Sequence, residues 1–156
     1  MKIESVMSKS LGTCSPAQSL NDAAQIMWER DCGIVPIVGG NGDRRLMGVI
    51  TDRDIAIAAY TKGRRLSEMG ISDVMSKDVV SCRSSDSVDD AERAMRQAQV
   101  HRLPVVDESG AVVGVLSLAD IACATHRGSE KVSPRDLGET VAAIRRPRAQ
   151  ELSRSA

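Results

Sequence analysis

Short apolar segments alternate with amphipathic segments along the chain, in an order that occurs twice. In each copy, two apolar segments rich in β-branched residues are separated by a turn, which predicts a β-hairpin. The predicted strands are residues 34–38 and 46–50 in the first copy, and 103–106 and 112–116 in the second. The turns between them, 39–43 and 107–110, consist of Gly, Asn, Asp, Glu and Ser, most of which favour turns.

Two helices are predicted in each copy from apolar residues at helical spacing. A residue suited to an N-cap stands before each of them: Ser19, Thr51, Ser87 and Ser117. An Asp follows three residues after each cap, as in a capping box. A short strand is predicted before the first helix of each copy, at residues 12–15 and 79–83. Each copy is therefore predicted to be a β-α-β-β-α unit.

The two copies are similar in sequence as well as in pattern. The segment VMSK at residues 6–9 returns 68 residues later at 74–77. After a shorter turn, GVITDRDI at 48–55 returns as GVLSLADI at 114–121. Such an internal repeat predicts one structural unit built twice. One copy of about 60 residues would bury a marginal core, so we expect an α/β fold whose two copies pack about a pseudo-twofold axis.

The repeat divides the chain into four parts. We expect the first repeat at residues 3–62, a linker at 63–72, the second repeat at 73–126, and a C-terminal helix and polar tail at 127–156. Within the last part, apolar residues at helical spacing predict a helix over 133–145. The Arg-rich residues after it are predicted to be disordered.

Composition narrows the classes of function. The 156 residues include 21 Lys and Arg and 21 Asp and Glu, so no net charge attracts nucleic acid or an anionic membrane. The chain has no Phe and one Trp, which counts against base stacking on single-stranded nucleic acid. No segment has the apolar length of a signal peptide or a membrane span. We therefore expect a cytoplasmic protein with reduced thiols, in which Cys14 and Cys82 are buried.

The strongest local motif, Gly-apolar-apolar-Thr/Ser-x-x-Asp, stands at a predicted strand-to-helix junction in both copies. A hydroxyl there, Thr51 or Ser117, lies beside the free N–H groups of a helix N-terminus, which suits a phosphate. The Asp one turn later, Asp54 or Asp120, can accept hydrogen bonds from the hydroxyls of a ribose. The alternative is that these residues only cap the helices. Their occurrence in both copies favours a ligand site.

These features resemble paired CBS domains, the Bateman module, over about residues 3–126. The resemblance rests on VMSK, on the apolar strands with a proline at Pro36 and Pro104, and on GVITDRDI and GVLSLADI. Residues 99–103 with 117–120 are also similar to a nucleotide site in the gamma subunit of AMP-activated protein kinase. The resemblance implies a regulatory module without catalytic activity. It would bind AMP, ADP, ATP or NAD(H) and act as an energy or redox sensor in signal transduction.

The resemblance also implies two unequal sites. In the second site, Asp120 would bind the ribose, and the phosphate would contact Ser117, His101 and Arg102. Its adenine would lie against the first copy, at Met7, Cys32 and Ile34. In the first site, Asp54 would bind the ribose and Thr51 the phosphate, with the adenine against Met75, Val100 and the stem of Arg102. In the first site, Gly33 and Ile34 stand where the second site has His101 and Arg102, which weakens the contacts with phosphate. Arg53 could compensate for this loss. We expect the second site to be the stronger one.

Two other classes of function stay open: an interaction or scaffold protein with empty clefts, and an enzyme that acts on a nucleotide. His101 has no nucleophile pattern beside it, and His101 and His126 lack the spacing of metal ligands. Surplus apolar helix faces predict a homodimer, disc-shaped in the family, through residues 23–27, 55–59, 91–95 and 121–125. The effector protein that would receive the signal is not indicated by the sequence.

Overall fold

The computed structural model describes residues 1–126 and 133–146 and confirms the α/β repeat. The first copy contains α1 (Leu20–Arg30), β1 (Ile34–Val38), β2 (Leu46–Thr51) and α2 (Asp52–Lys62). The second contains β3 (Cys82–Arg83), α3 (Val88–Ala98), β4 (Arg102–Val106), β5 (Val112–Ser117) and α4 (Leu118–His126). Helix α5 (Pro134–Ile144) follows. Both hairpins, β1–β2 and β4–β5, are antiparallel, and β3 pairs with β4 in parallel.

The strands predicted before α1 and α3 are shorter than expected. Residues 12–15 form no strand, and Cys14 alone makes a bridge, to Ile37 of β1. Of residues 79–83, only Cys82–Arg83 is a strand. In each segment the cysteine is the one buried residue, so side-chain packing holds only one or two residues against the sheet. Burial raises the pKa of the Cys14 thiol to about 11 and that of Cys82 to about 12.

Side-chain caps begin α1 and α3 where the sequence predicts them. The Ser19 hydroxyl accepts a hydrogen bond from the N–H of Asp22, whose carboxylate accepts one from the N–H of Ser19 at 2.8 Å. Ser87 caps α3 through the N–H of Asp90 at 3.1 Å. Both helices end in a left-handed residue, Asp31 (φ 49°) and Gln99 (φ 51°), so the chain turns into β1 and β4 in the same way.

The beginning of each copy packs on the other copy. Ile3 is fully buried in the core of the second copy, and its equivalent Ile71 is fully buried in the core of the first. Ser8 forms a bridge to β5, whereas Ser76 forms a bridge to β2. This reciprocal exchange gives the pair its pseudo-twofold symmetry and joins the two cores into one unit.

The segment predicted as the linker, residues 63–72, is packed chain. Met69 is 2% exposed and Ile71 is fully buried, both in the core of the first copy. The N–H of Leu20 donates to the carbonyl of Met69 at 2.9 Å, which ties this segment to the start of α1. The segment that connects the two copies is therefore part of the core of the first copy.

Helix α5 confirms the helical pattern predicted near the C-terminus. It packs against α3 and α4, with Ile144 buried in the core of the second copy. It therefore covers the part of the predicted dimer surface on that copy, while no described helix covers α1 and α2 in the same way. None of the helices described in 1–126 and 133–146 could span a membrane. The tail predicted to be disordered lies outside the described residues from 147 onward.

Candidate functional site

Both Gly-x-x-Thr/Ser-x-x-Asp motifs form the same junction between a strand and a helix. The hydroxyl and the N–H of Ser117, at the end of β5, donate to Oδ2 of Asp120 at 2.6 and 2.8 Å. The hydroxyl and the N–H of Thr51, at the end of β2, donate to Oδ2 of Asp54 at 2.7 and 2.9 Å. These residues therefore do cap the two helices. Capping leaves Oδ1 of each half-buried carboxylate without a partner in the described chain, and that oxygen can accept from a ligand.

A methionine from the start of each copy lies beside the junction of the other copy. A Cβ at Gly114, three residues before Ser117, would lie 2.6 Å from Sδ of Met7. A Cβ at Gly48 would lie 2.8 Å from the backbone oxygen of Ser76 and 3.1 Å from Sδ of Met75. The glycines therefore allow a close approach, which places Met7 beside the second junction and Met75 beside the first.

The second site also brings together the residues at the start of β4. Arg102 is the register partner of Ser117 in the β4–β5 hairpin, so these two residues lie side by side. The carbonyl of His101 accepts from the N–H of Leu118 at 3.0 Å, which fixes the histidine beside the N-terminus of α4. His101, Arg102, Ser117 and Asp120 thus converge at one strand-to-helix junction.

The guanidinium of Arg102 reaches across to the first site. A Cβ at Gly33 would lie 2.8 Å from Nη2 of Arg102 and 2.7 Å from Oδ2 of Asp52, the first residue of α2. Within the described chain no hydrogen bond or ion pair holds this guanidinium. Arg102 therefore belongs to the second site by its strand position, while its charge lies near the junction of the first. The absence of a side chain at Gly33 leaves space for the guanidinium there.

The other predicted site residues differ in accessibility. Ile34 is 6% exposed and offers a ligand little surface. Cys32 and Val100 are half-buried at equivalent positions, where the chain leaves α1 and α3. Arg53 is exposed on the first turn of α2. A ligand at the junctions could therefore contact Cys32, Val100 and Arg53 more readily than Ile34.

A cation that the sequence did not assign to the site lies near His101. The pKa of His101 is lowered by burial first, then by the positive charge of Arg145 and then by that of Arg102. Arg145 caps the C-terminus of α5. The sequence showed a short basic run here, but the pattern of apolar residues in a helix cannot indicate which surface the helix packs on.

Two cavities of the structure lie outside the predicted sites. One of about 630 Å³ lies between α3 and α5 and is lined by charged residues of both signs, including Glu92, Arg96 and Glu139. A smaller one, of about 270 Å³, lies beside Met47 and Lys77. No group of three or more His, Cys, Asp or Glu side chains in the described residues is arranged to hold a metal ion.

Two repeats, each with a hairpin between two helices, that exchange their first turns and carry paired junctions define a CBS domain pair. The family model of the CBS domain matches residues 3–60 and 71–126, and the chain belongs to this family. Its sequence is similar to CBS domain-containing protein YhcV of Bacillus subtilis (strain 168). The two are 36% identical over 120 residues, which are 77% of this chain and 82% of the relative.

Solved structures share the fold over most of the chain. One is Hypoxic Response Protein I with two coordinated zinc ions, at a TM-score of 0.70 and 30% identity, covering 79% of this chain and 98% of that one. Another is the CBS domain pair of protein MJ0100 in complex with 5′-methylthioadenosine and S-adenosyl-L-methionine. It has a TM-score of 0.72 and 26% identity and covers 81% of this chain and 97% of that one.

Proposed function

We propose that the chain is a regulatory module that binds an adenosyl ligand between its two copies. The observation that carries this proposal is the duplicated junction, where Oδ1 of Asp54 or Asp120 is free beside a helix N-terminus. The similar CBS pair of protein MJ0100 holds 5′-methylthioadenosine and S-adenosyl-L-methionine. Those ligands contain adenosine, as do AMP, ADP, ATP and NAD(H), and the ribose hydroxyls of adenosine suit a free carboxylate oxygen.

We further propose that the second site is the stronger one and that the bound nucleotide is not turned over. His101 lies at the second junction, whereas the first has Gly33 at the equivalent position. The carboxylates and cations at the junctions provide binding groups for ribose and phosphate. An energy or redox signal would then pass to an effector protein as a change in shape or stability rather than as a reaction product.

Calorimetry with AMP, ADP, ATP, NAD(H) and GMP tests this proposal on Asp120→Asn and Asp54→Asn. Asn keeps an oxygen for the cap at Ser117 or Thr51, but turns a donor toward the ligand in place of Oδ1. Asp120→Asn should weaken adenosyl binding by more than about 1 kcal/mol, since a charged acceptor is lost. The effect of Asp54→Asn should be smaller.

Asp22→Asn is the matched control, because Asp22 accepts from the N–H and hydroxyl of Ser19, both at 2.8 Å, outside either predicted site. It should leave binding unchanged. Wild-type affinity in both Asp54→Asn and Asp120→Asn would contradict the proposal. The absence of binding by every nucleotide would favour a scaffold with empty clefts, and steady conversion of the nucleotide in chromatography would favour an enzyme.

We also propose that the protein acts as a homodimer in the cytoplasm. The exposed apolar side chains of α1 and α2 support the dimer: Trp28, Ile57 and Tyr60 are 88%, 52% and 87% exposed. All four cysteines are unpaired, which supports a reducing compartment. Because α5 covers α3 and α4, the proposed interface is narrower than the sequence suggested and is centred on the first copy.

A further inference from the structure

The C-terminal end of α5 is fixed beside the second site. Gln99, two residues before His101, donates from Nε2 to the carbonyl oxygens of Ala143 and Arg146, at 3.3 and 3.1 Å. Arg145 lies between these two anchors. Its position relative to His101 is therefore set as long as α5 stays docked on the second copy.

Helices α3 and α5 run in the same direction, which brings both C-termini to this place. Thr140 contacts Glu92 at least one turn before the helix ends, and Ala143 contacts Gln99 at the ends. A chain that leaves α3 enters β4 through His101, so the end of α5 faces the start of β4. The order of contacts along the two helices therefore brings Arg145 to the start of β4, near His101.

Arg145 is an unpaired cation near His101 and Arg102. Its guanidinium has no hydrogen bond or ion pair in the described part of the chain. The charge of Arg145 lowers the pKa of His101 more than the charge of Arg102 does, although Arg102 is the next residue in the chain. A cation at a helix C-terminus interacts favourably with the helix dipole. This interaction does not explain why Arg145 lies beside two other basic residues, His101 and Arg102. Basic groups that meet without partners favour an anion.

We infer that the second site extends past His101 to Arg145 and accepts a chain of two or three phosphates. The inference rests on the proposed function and deepens it by naming the ligand class, adenosine di- and triphosphates. A first phosphate would lie at the N-terminus of α4 and His101, and a later one would reach the forked guanidinium of Arg145. The nucleotide would then link α5 to the second copy. The number of its phosphate groups would determine how strongly α5 is held there.

Calorimetry with AMP, ADP and ATP, without divalent cations, tests this on the full chain carrying Arg145→Gln. Loss of one charge-assisted hydrogen bond should weaken ATP binding by about 10-fold or more, whereas AMP binding should change by less than about 2-fold. Arg146→Gln is the matched control, because it removes the same charge one residue later. The carbonyl of Arg146, which accepts from Gln99, is retained in that variant, and both affinities should stay as in the wild type.

Hydrogen exchange gives a second readout on the same proteins. ATP should slow exchange across α5 in the wild type and in Arg146→Gln more than AMP does, and this difference should disappear in Arg145→Gln. Equal losses for AMP and ATP in Arg145→Gln, or no loss for either, would overturn the extension to Arg145 while leaving nucleotide binding intact. Failure of the wild type to bind any of the three nucleotides would instead overturn the proposed function.

Discussion

A carboxylate in a capping box can serve a helix and a ligand at once, because it has two oxygens. Asp120 directs Oδ2 to Ser117 and keeps Oδ1 free. Asp22 has the same arrangement with Ser19, yet it stands in neither predicted site. What distinguishes Asp120 is its surroundings, namely Met7 from the other copy and the basic residues at the start of β4. The same local motif is thus structural at one position and suited to a ligand at another.

Gly48→Ala should lower the free energy of unfolding by about 1–3 kcal/mol, as expected for overpacking. The added Cβ would lie 2.8 Å from the backbone oxygen of Ser76, which the hydrogen bonds with Val49 hold in place. Urea unfolding measures the effect. Gly40→Ala is the control, since a Cβ there meets nothing within 4 Å, and its stability should stay within about 0.5 kcal/mol of the wild type. A Gly48→Ala protein as stable as Gly40→Ala would contradict the close approach of the two copies.

At the residue scale, the sequence predicted which groups meet at each junction but not where the long side chains point. The repeat and the hairpin pattern together place Ser117, Asp120 and Arg102 at one junction. The guanidinium of Arg102 lies beside Gly33 and Asp52 of the other copy. Such a contact between copies cannot be predicted from local pattern, because it depends on how the two copies are packed.

At the scale of elements, the docking of α5 depends on a buried polar cluster with α3. Glu92 is 2% exposed and Thr140 is fully buried. The Thr140 hydroxyl shares its proton between the carbonyl of Asp136 at 2.9 Å and Oε1 of Glu92 at 3.3 Å, and it accepts from Arg96 at 3.2 Å. Burial raises the pKa of Glu92. The hydrogen bond from Thr140 and the positive charge of Arg96 lower this pKa, whereas the nearby carboxylates of Asp136 and Asp89 raise it further.

Glu92→Gln should therefore stabilise the protein at neutral pH. The folded state holds the Glu92 proton more tightly than the unfolded chain, so the contribution of this group is largest below its ordinary pKa of 4.5. It is lost as the pH rises through the raised pKa. Gln keeps the oxygen that accepts from Thr140 and removes the charge. Thermal unfolding should show a higher Tm than the wild type at neutral pH and little difference in acid.

The control for this prediction is Glu139→Gln, because Glu139 is exposed and its one ion pair in the described part of the chain is with the exposed Arg135. It should leave the pH dependence of Tm unchanged. A Tm difference between Glu92→Gln and the wild type that is the same at acid and neutral pH would show that the charge of Glu92 is not the cause.

The elements with a long apolar pattern were predicted well, and the shortest ones were not. The bounds of β1, β2, β4 and β5 agree with the sequence within one residue, because alternation and turn residues define both ends of a hairpin. The turns at Ile3–Ser5 and Ile71–Asp73 are three residues long and show no periodicity. Their burial in the opposite copy is a consequence of tertiary packing, which decides the structure where local pattern is too short to do so.

At the scale of the whole molecule, the pseudo-twofold symmetry is broken by α5. The helix face of the second copy is covered, whereas α1 and α2 on the first copy expose Trp28, Ile57 and Tyr60. Contiguous exposed apolar side chains usually mark an interaction surface. A second copy of the chain that presents the same face is a self-complementary partner, since a twofold axis lets α1 and α2 meet their own counterparts.

Sedimentation velocity at micromolar concentration should therefore give the mass of a dimer. Trp28→Glu combined with Ile57→Asp should raise the dissociation constant by about 10-fold or more, because buried aromatic anchors dominate interface energies and charges there would lose their water. Val141→Asp is the control, because Val141 is 42% exposed on α5, and it should remain dimeric. A monomeric wild type would refute the dimer. Dissociation by Val141→Asp would instead show that two chains meet through α5.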